Sequence, residues 1–176
     1  MTNLEKHLKS RGLQLSLYPH ASLTEDVAIF PMYNFGKKMT GFNQYRPGAP
    51  KKGIDNHPKL GKYYSFVVKN EIAVFGMESW EFTEPVYLTG GMFKAATLNR
   101  LGYTSLHVSA VNPVVLRQQL EITGRPYFAI GDADAEGAQF VRRFGGWQSP
   151  CDVDEMTDDD VHTMIHYETA LLRPTL

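Results

Sequence analysis

Two rhythms of apolar and polar residues divide the chain near residue 84. Before it, a short amphipathic helix at residues 4–13 is followed by aromatic and β-branched runs that turn residues interrupt. After it, strand-like and helix-like runs alternate with short glycine-bearing connections, which predicts a parallel sheet built by right-handed crossovers. The aromatic and β-branched runs that precede residue 84 predict an antiparallel meander with strands at residues 27–30, 39–45, 63–68 and 72–75.

The alternating half contains three pairs of strand and helix and a final helix. Pro113 suits the first turn of its helix with Asn112 as the cap, and Thr157 or Asp158 would cap the last helix. The strands are expected at residues 85–89, 105–109 and 126–130, and the helices at residues 92–101, 113–122, 135–144 and 157–172. We therefore predict an α/β protein. A Rossmann-type parallel sheet flanked by helices would occupy residues 85–176, preceded by a small α+β lobe with the meander at residues 1–84.

Length and composition restrict the class of protein. A chain of 176 residues with 43% hydrophobic content can form one ordinary core, or one core with a small appended lobe. The longest apolar runs are far shorter than the roughly 20 residues of a membrane-spanning helix, and the N-terminus lacks an apolar signal segment. Because Cys151 is the single cysteine, an internal disulfide and a multi-cysteine zinc site are excluded. These features predict a soluble, cytoplasmic protein without a membrane partner.

Charge is nearly balanced overall but unevenly distributed. The chain has 18 Lys and Arg against 19 Asp and Glu, which argues against salt-sensitive binding of duplex DNA over the whole surface. Residues 37–69 are basic with Asp55 as their one acid, whereas residues 152–160 carry acids and no base. The basic region also carries aromatic residues, a combination that follows a single strand by charge and base stacking, although aromatics in a meander are more often core. These residues are Tyr45, Arg46, Lys51, Lys52, Tyr63 and Tyr64.

One strand of the alternating half ends in two carboxylates. The apolar run at residues 126–130 leads through Gly131 into Asp132 and Asp134, whose spacing lets both carboxylates face one side of the strand end. Ligands of open parallel sheets collect at this edge, and Mg²⁺ is bound by a few carboxylates while it keeps waters for phosphate oxygens. The alternative is that one of the aspartates caps the following helix.

A second strand of this half passes through two glycines into a helix. Gly90 and Gly91 would let backbone amides approach an anion at the helix N-terminus, and Lys94 would add positive charge. The alternative is a tight turn between strand and helix that binds no ligand.

Two further pairs of polar residues have two interpretations each. His162 and His166 lie four residues apart on the last predicted helix, as in some metal sites, but an exposed helical pair without a third ligand explains them better. Arg142 and Arg143 would either contact phosphates by bidentate hydrogen bonds or stabilise the C-terminus of their helix.

The double glycine and the Asp-x-Asp element, in this order and about forty residues apart, resemble the Toprim domain shared by bacterial and phage primases, topoisomerases and some nucleases. The resemblance extends over residues 85–156, and residues 30–46 look like a segment that precedes this domain in phage primases. It implies that Asp132 and Asp134 are catalytic and that they hold Mg²⁺ or Mn²⁺. A later acidic segment of the family is matched here by residues 150–156, and the resemblance implies that Asp152 and Asp154 bind a second metal. The alternative is that the acids at residues 152–160 form only a loop and a helix cap.

Position 90 departs from the family. The first strand of a Toprim domain ends in a Glu-Gly pair whose glutamate acts as acid or base or as a metal contact, but this chain has Gly90 at that catalytic position. The departure implies severely weakened chemistry. It leaves three explanations: a natural inactive homologue that retains binding, an engineered inactivating change, or a substitute acid. The candidate substitutes are Glu84, at the opposite end of the strand, and Glu136, nearer to the aspartates.

The resemblance implies a primase-type, metal-dependent protein of DNA replication that binds single-stranded DNA or nucleotides, and a nucleotidyltransferase if it is active. Nucleic-acid contacts would come from Lys94, Arg46, Lys51, Lys52 and Arg142. Because the chain contains neither a zinc module nor a helicase, complete priming would need a helicase or other replication proteins, in the host cytoplasm if a phage encodes the chain. The alternatives are a non-catalytic binding module and a Toprim nuclease, since a fold does not dictate a reaction.

Overall fold

The computed structural model describes residues 1–51, 57–108 and 112–172 of the chain. Within these ranges the chain forms five α-helices and two four-stranded sheets. The helices are α1 (Asn3–Ser10), α2 (Met92–Arg100), α3 (Pro113–Thr123), α4 (Ala135–Phe144) and α5 (Asp158–Leu171). The strands are β1 (Ser22–Leu23), β2 (Ala28–Tyr33), β3 (Met39–Tyr45), β4 (Tyr63–Val67), β5 (Val86–Thr89), β6 (Ser105–His107), β7 (Tyr127–Gly131) and β8 (Gly146–Gln148).

The first sheet is an antiparallel meander in the order β1-β2-β3-β4. Its register places Asn43 of β3 between Phe30 of β2 and Ser65 of β4. Because side chains alternate between the two faces of a strand, Phe30 and Met32 lie on the same face of β2, and both are buried in the core. The meander is thus confirmed, and so are the first three of its four predicted strands.

The predicted strand at residues 72–75 is wrong, because these residues form two isolated bridges and no strand of the meander. Val74 makes one antiparallel bridge to Tyr33 at the end of β2, and Phe75 makes another to His107 at the end of β6. The segment therefore links the two sheets, and both Val74 and Phe75 are fully buried. An unbroken apolar run is typical of a buried segment, but the run alone does not say which backbone it pairs with.

The second sheet is parallel throughout, in the order β6-β5-β7-β8. The predicted alternation of strands and helices is confirmed, and the helices of this half begin and end close to their expected residues. Strand β8 was not predicted, because a three-residue strand that begins at the second of two glycines is too short to show an alternation. Since all four strands run in the same direction, the carboxyl ends of β5, β7 and β8 meet at one edge of the sheet. This edge is called the strand-end edge below.

The predicted helix caps are present. The side chain of Asn112 accepts a hydrogen bond from the amide of Val114 at 3.0 Å, and Pro113 occupies the first turn of α3. The side chain of Thr157 accepts one from the amide of Asp160 at 3.2 Å. Both side chains satisfy amide groups that have no partner inside the helix, which fixes where α3 and α5 begin.

The core joins the first and second halves of the chain. One cluster of buried side chains combines Leu4 and Leu8 of α1 and Phe30 of β2 with Met92 and Phe93 of α2. Helix α2 follows β5, one of the two inner strands of the parallel sheet, and its first turn packs against the meander. This packing brings the strand-end edge next to β3 and β4.

Different helices cover the two faces of the parallel sheet. Leu88 of β5 belongs to a cluster with Leu116 of α3, whereas Tyr87 belongs to a cluster with Ile165 of α5. A strand covered on both faces must be apolar at every position, which explains why β5 shows no alternation. None of the helices in the described ranges is long and apolar enough to cross a membrane.

Candidate functional site

A cleft of about 420 Å³ opens at the strand-end edge, between the parallel sheet and the meander. The edge contributes Gly90 after β5, Asp132 after β7 and Asp152 after β8. The meander contributes Asn43 and Tyr63 from β3 and β4. Three of the predicted site residues, Gly90, Asp132 and Asp152, therefore meet in one place.

The loop after β7 is shaped by close packing of α4 against the strand. A Cβ added at Gly137 would collide with the backbone of Asp132, and one added at Gly131 would collide with the backbone of Gly137. The side chain of Gln148 donates hydrogen bonds to the carbonyl oxygens of Asp132 at 2.6 Å and Asp134 at 2.9 Å. The two aspartates thus lie in a loop whose backbone is held on both sides.

Lys94 is the central side chain of the edge. It lies in the first turn of α2, and helical side chains tilt toward the N-terminus of their helix, which directs its ammonium group to the strand ends. The Nζ atom donates to Oδ1 of Asp132 and lies 3.0 Å from Oδ1 of Asp152. Burial would lower the pKa of Lys94, but its hydrogen bonds to Asp132 and Asp152 outweigh burial and raise the pKa overall. The ammonium therefore stays charged between the two carboxylates.

Asp134 has a different role from Asp132. Its Oδ1 atom accepts a hydrogen bond of 2.7 Å from the amide of Gly137, which makes Asp134 the N-cap of α4. The cleft is lined by Asp132 and not by Asp134. Asp134 therefore caps a helix, which is the alternative that the sequence left open for one of the two aspartates.

Position 90 is open. Gly90 is exposed, and a Cβ added there would meet no atom within 4 Å of the described structure. Glu84 lies at the other end of β5, where it is 3.4 Å from Arg125. Glu136 lines a neighbouring recess of about 320 Å³ together with Gly90 and Asp132. Of the two candidate substitutes, only Glu136 lies on the side of the strand where the aspartates are.

Arg11 also lines the cleft, although no pattern in the sequence indicates it. Its guanidinium donates to Asp154 at 2.6 Å and stacks over the ring of Phe93 at 4.4 Å from the centroid. The Asp154 side chain is only 3% exposed. Burial would lower the pKa of Arg11, but its hydrogen bond to Asp154 raises it overall. Because 143 residues separate Arg11 from Asp154, no local motif could have revealed the pair.

The predicted nucleic-acid contacts divide between the cleft and other surfaces. Lys51 is exposed and lines the cleft, as do Tyr63, which is 42% exposed, and the half-buried Tyr64. Tyr45 is fully buried, so the core interpretation describes its position. Arg46 lines a separate recess beside α1.

Two further predicted contacts lie elsewhere. Arg142 is exposed in the last turn of α4, away from the cleft residues. Lys52 falls outside the described residues. On α5, His162 accepts or donates a 2.6 Å hydrogen bond with the hydroxyl of Tyr103, while His166 is exposed, which agrees with a helical pair that shares no ligand.

The carboxylates of the edge do not fit a divalent metal in this arrangement. The ammonium of Lys94 lies between Asp132 and Asp152, Asp134 is engaged as a helix cap, and Gly90 offers no ligand. Across the described ranges, no group of three or more His, Cys, Asp or Glu side chains is arranged to hold a metal ion. A metal role of these aspartates therefore remains a prediction.

Comparisons with known proteins concern the fold. No protein-family model and no curated protein matches the sequence. The E. coli primase catalytic core matches with a TM-score of 0.69 and 13% identity, over 97% of this chain and 73% of that one. A DnaG primase catalytic domain bound to ssDNA matches with a TM-score of 0.64 and 11% identity, over 97% and 74% of the two chains. The primase fragment of the bacteriophage T7 primase-helicase protein matches with a TM-score of 0.62 and 12% identity, over 92% and 73%.

At identities of 11% to 13% these likenesses show the fold alone. The chain spans about three quarters of the length of these three structures, and 66% of the RNA polymerase domain of the Mycobacterium tuberculosis primase.

Proposed function

We propose that this chain, which has the fold of bacterial and phage primase catalytic cores, binds single-stranded nucleic acid in the cleft at its strand-end edge and serves DNA replication as a primase-type binding module. The observation that supports it most is the lining of the cleft, where the cations Arg11, Lys51 and Lys94 stand beside the exposed ring of Tyr63. A site for single-stranded nucleic acid combines cations, which contact the phosphates, with aromatic rings, on which the bases stack.

The charge of the cleft favours a ligand held by stacking as well as by phosphate contacts. Among the described residues that line it, three cations face three carboxylates, those of Asp132, Asp152 and Asp154. His107 also lines the cleft, and burial lowers its pKa to about 4, so it adds no charge near neutral pH. Because carboxylates lie beside these cations, binding would neutralise few phosphates and release few counterions from the nucleic acid. We therefore expect a shallow dependence of binding on salt.

Asn43 offers a hydrogen-bond donor to a ligand. Its side chain is 3% exposed and lines the cleft, and within the described residues its Nδ2 atom has no acceptor. A buried amide donor without a partner is costly, and a base carbonyl or phosphate oxygen in the cleft would supply the missing acceptor after a small local movement.

The test is fluorescence anisotropy with a labelled single-stranded DNA oligonucleotide. Tyr63→Ala should weaken binding about tenfold, since one stacked base contributes about 1–3 kcal/mol. Tyr167→Ala is the matched control, because Tyr167 is an exposed tyrosine on α5 outside the cleft. Equal affinities of the wild-type protein and Tyr63→Ala, or the absence of binding by the wild-type protein, would refute the proposal.

Metal-dependent nucleotide transfer is the second candidate, and the open space at Gly90 favours testing it. In this candidate Asp132, Asp134 and Asp152 would hold Mg²⁺ or Mn²⁺ after rearrangement. Because a glutamate fits at position 90 without a clash of its Cβ, Gly90→Glu should fold normally. Ribonucleotide polymerisation by this variant would indicate a primase, cleavage of DNA a nuclease, and binding without either activity the module proposed above.

Partners follow from the same proposal. One of the matched structures is a fragment of a primase-helicase protein, and we propose a replicative helicase as the first partner to test, by co-purification with this chain.

A further inference from the structure

We infer that Lys94 is a built-in cation that takes the place of a divalent metal at the strand-end edge, so that the cleft functions without Mg²⁺. The ammonium of Lys94 lies between Asp132, which follows β7, and Asp152, which follows β8. The metal half of this inference stands on the geometry alone. Its nucleic-acid half rests on the proposed function.

The ammonium group satisfies what the two carboxylates require. Two neighbouring carboxylates repel each other unless a cation lies between them. An ammonium has three donors and can bond to both at once, and Nζ is within hydrogen-bond distance of both Oδ1 atoms. The Lys94 side chain is 11% exposed, so it is held in this place rather than moving in solvent.

The backbone that carries Lys94 cannot move away easily. Its neighbours Phe93 and Ala95 are buried in the cluster that joins the meander to α2. A tethered group competes with a free ion through its effective concentration, which is millimolar or higher for short tethers. Within the described ranges, free Mg²⁺ would have to displace this group to gain the carboxylates of Asp132 and Asp152 alone. Asp134 caps α4, Asp154 pairs with Arg11, and Gly90 has no side chain.

The charge balance gives the inference a measurable consequence. With Lys94 replaced by a neutral side chain, the described lining of the cleft keeps Arg11 and Lys51 against three carboxylates and becomes net negative. Asp132 and Asp152 would then lack a counter-cation, and a divalent ion would be attracted to the space that the ammonium leaves. We therefore expect Lys94→Met to create a metal dependence that the wild-type protein lacks.

The first experiment is calorimetric titration of Mn²⁺ and Mg²⁺ into the full chain without nucleic acid. The wild-type protein should give no binding heat at millimolar metal, Lys94→Met should bind Mn²⁺, and Lys94→Met with Asp132→Asn should lose that binding again. Lys38→Met is the matched control, since Lys38 pairs with Glu71 at 3.4 Å on the surface. Circular dichroism checks folding, and Lys94→Gln replaces Lys94→Met if the latter unfolds.

Two results would overturn the metal half of the inference. One is metal binding by the wild-type protein as tight as that of Lys94→Met. The other is a folded Lys94→Met and a folded Lys94→Gln that both bind no metal.

The second experiment measures single-stranded DNA binding by anisotropy in EDTA and in millimolar Mg²⁺. The wild-type affinity should be the same in both, whereas Lys94→Met should bind roughly tenfold more weakly in EDTA and recover in Mg²⁺, the size expected for one lost charged contact. A wild-type affinity that depends on Mg²⁺ would overturn the inference. If the wild-type protein binds no DNA in either buffer, the proposed function fails, while the metal titration still decides the role of Lys94.

Discussion

His107, the last residue of β6, shows how the fold controls the charge of one side chain. Its ring is 7% exposed, and Nδ1 lies 3.3 Å from the carbonyl oxygen of Thr89, to which an Nδ1–H tautomer donates. Burial lowers the pKa of His107 to about 4, the hydrogen bond to Thr89 opposes this, and the charge of Lys94 adds to it. The imidazole is therefore neutral at the pH at which nucleic acid would bind.

The lowered pKa of His107 predicts a loss of stability in acid. Between pH 6.5 and about 4, the unfolded chain binds a proton at this histidine and the folded chain does not, so the free energy of unfolding falls as the pH falls, by up to about 3 kcal/mol. Urea unfolding at several pH values should show that His107→Gln, which keeps a donor but does not titrate, loses less stability than the wild-type protein. Carboxylates titrate in both proteins and cancel in this comparison. Parallel curves for His107→Gln and the wild-type protein would contradict the expected role of burial.

At the scale of one element, the turn between β7 and α4 contains two aspartates that look equivalent in the sequence but have different roles. Asp134 accepts the amide of Gly137 and caps the helix, while Asp132 turns to Lys94. The close approach of Gly137 to the backbone of Asp132 leaves room for no larger residue. One short loop therefore provides both the start of α4 and the carboxylate that enters the cleft.

The cap predicts a difference between two substitutions of Asp134. Asp134→Ala should lower the free energy of unfolding by about 1 kcal/mol, whereas Asp134→Asn should be nearly neutral, because asparagine caps helices as well as aspartate does. Thermal or urea unfolding measures both. An equal loss in the two variants would mean that the charge of Asp134, rather than its hydrogen bond, stabilises the fold.

At the scale of the whole molecule, the ion pair of Arg11 and Asp154 ties the N-terminal helix to the acidic segment after β8. Arg11 follows α1, and Asp154 lies in a helical turn, Val153–Glu155, behind the strand-end edge. The cleft is therefore closed on one side by residues from both ends of the sequence. Its shape depends on how the two sheets pack and not on either sheet alone.

This pair predicts a larger effect than a surface ion pair has. Arg11→Met leaves the carboxylate of Asp154, which is 3% exposed, without its cation, and should lower the free energy of unfolding by about 2–3 kcal/mol. Arg117→Met is the matched control, because Arg117 pairs with Glu121 at 3.5 Å on an exposed helix face, where about 0.5 kcal/mol is expected. Similar losses in the two variants, measured by urea unfolding, would show that the Arg11 pair does not hold the molecule together.

Much of the fold could be predicted because it follows from local periodicity. The helices of the second half begin at or next to the expected residues, and the alternation of strands and helices implied the parallel sheet. Residues 72–75 and strand β8 could not be predicted in the same way. An apolar run does not identify its pairing partner, and a three-residue strand has too few positions to show a period.

The sequence by itself determined the order of the helices and of strands β2 to β7, the caps at Asn112 and Thr157, and the placing of Asp132 at a strand end, because each depends on residues that are neighbours in the chain. Only the tertiary structure decided that Lys94 lies between Asp132 and Asp152. These contacts join elements that are far apart in the sequence. They exist because the packing of two sheets around α2 sets their distances, and no local pattern of residues contains that information.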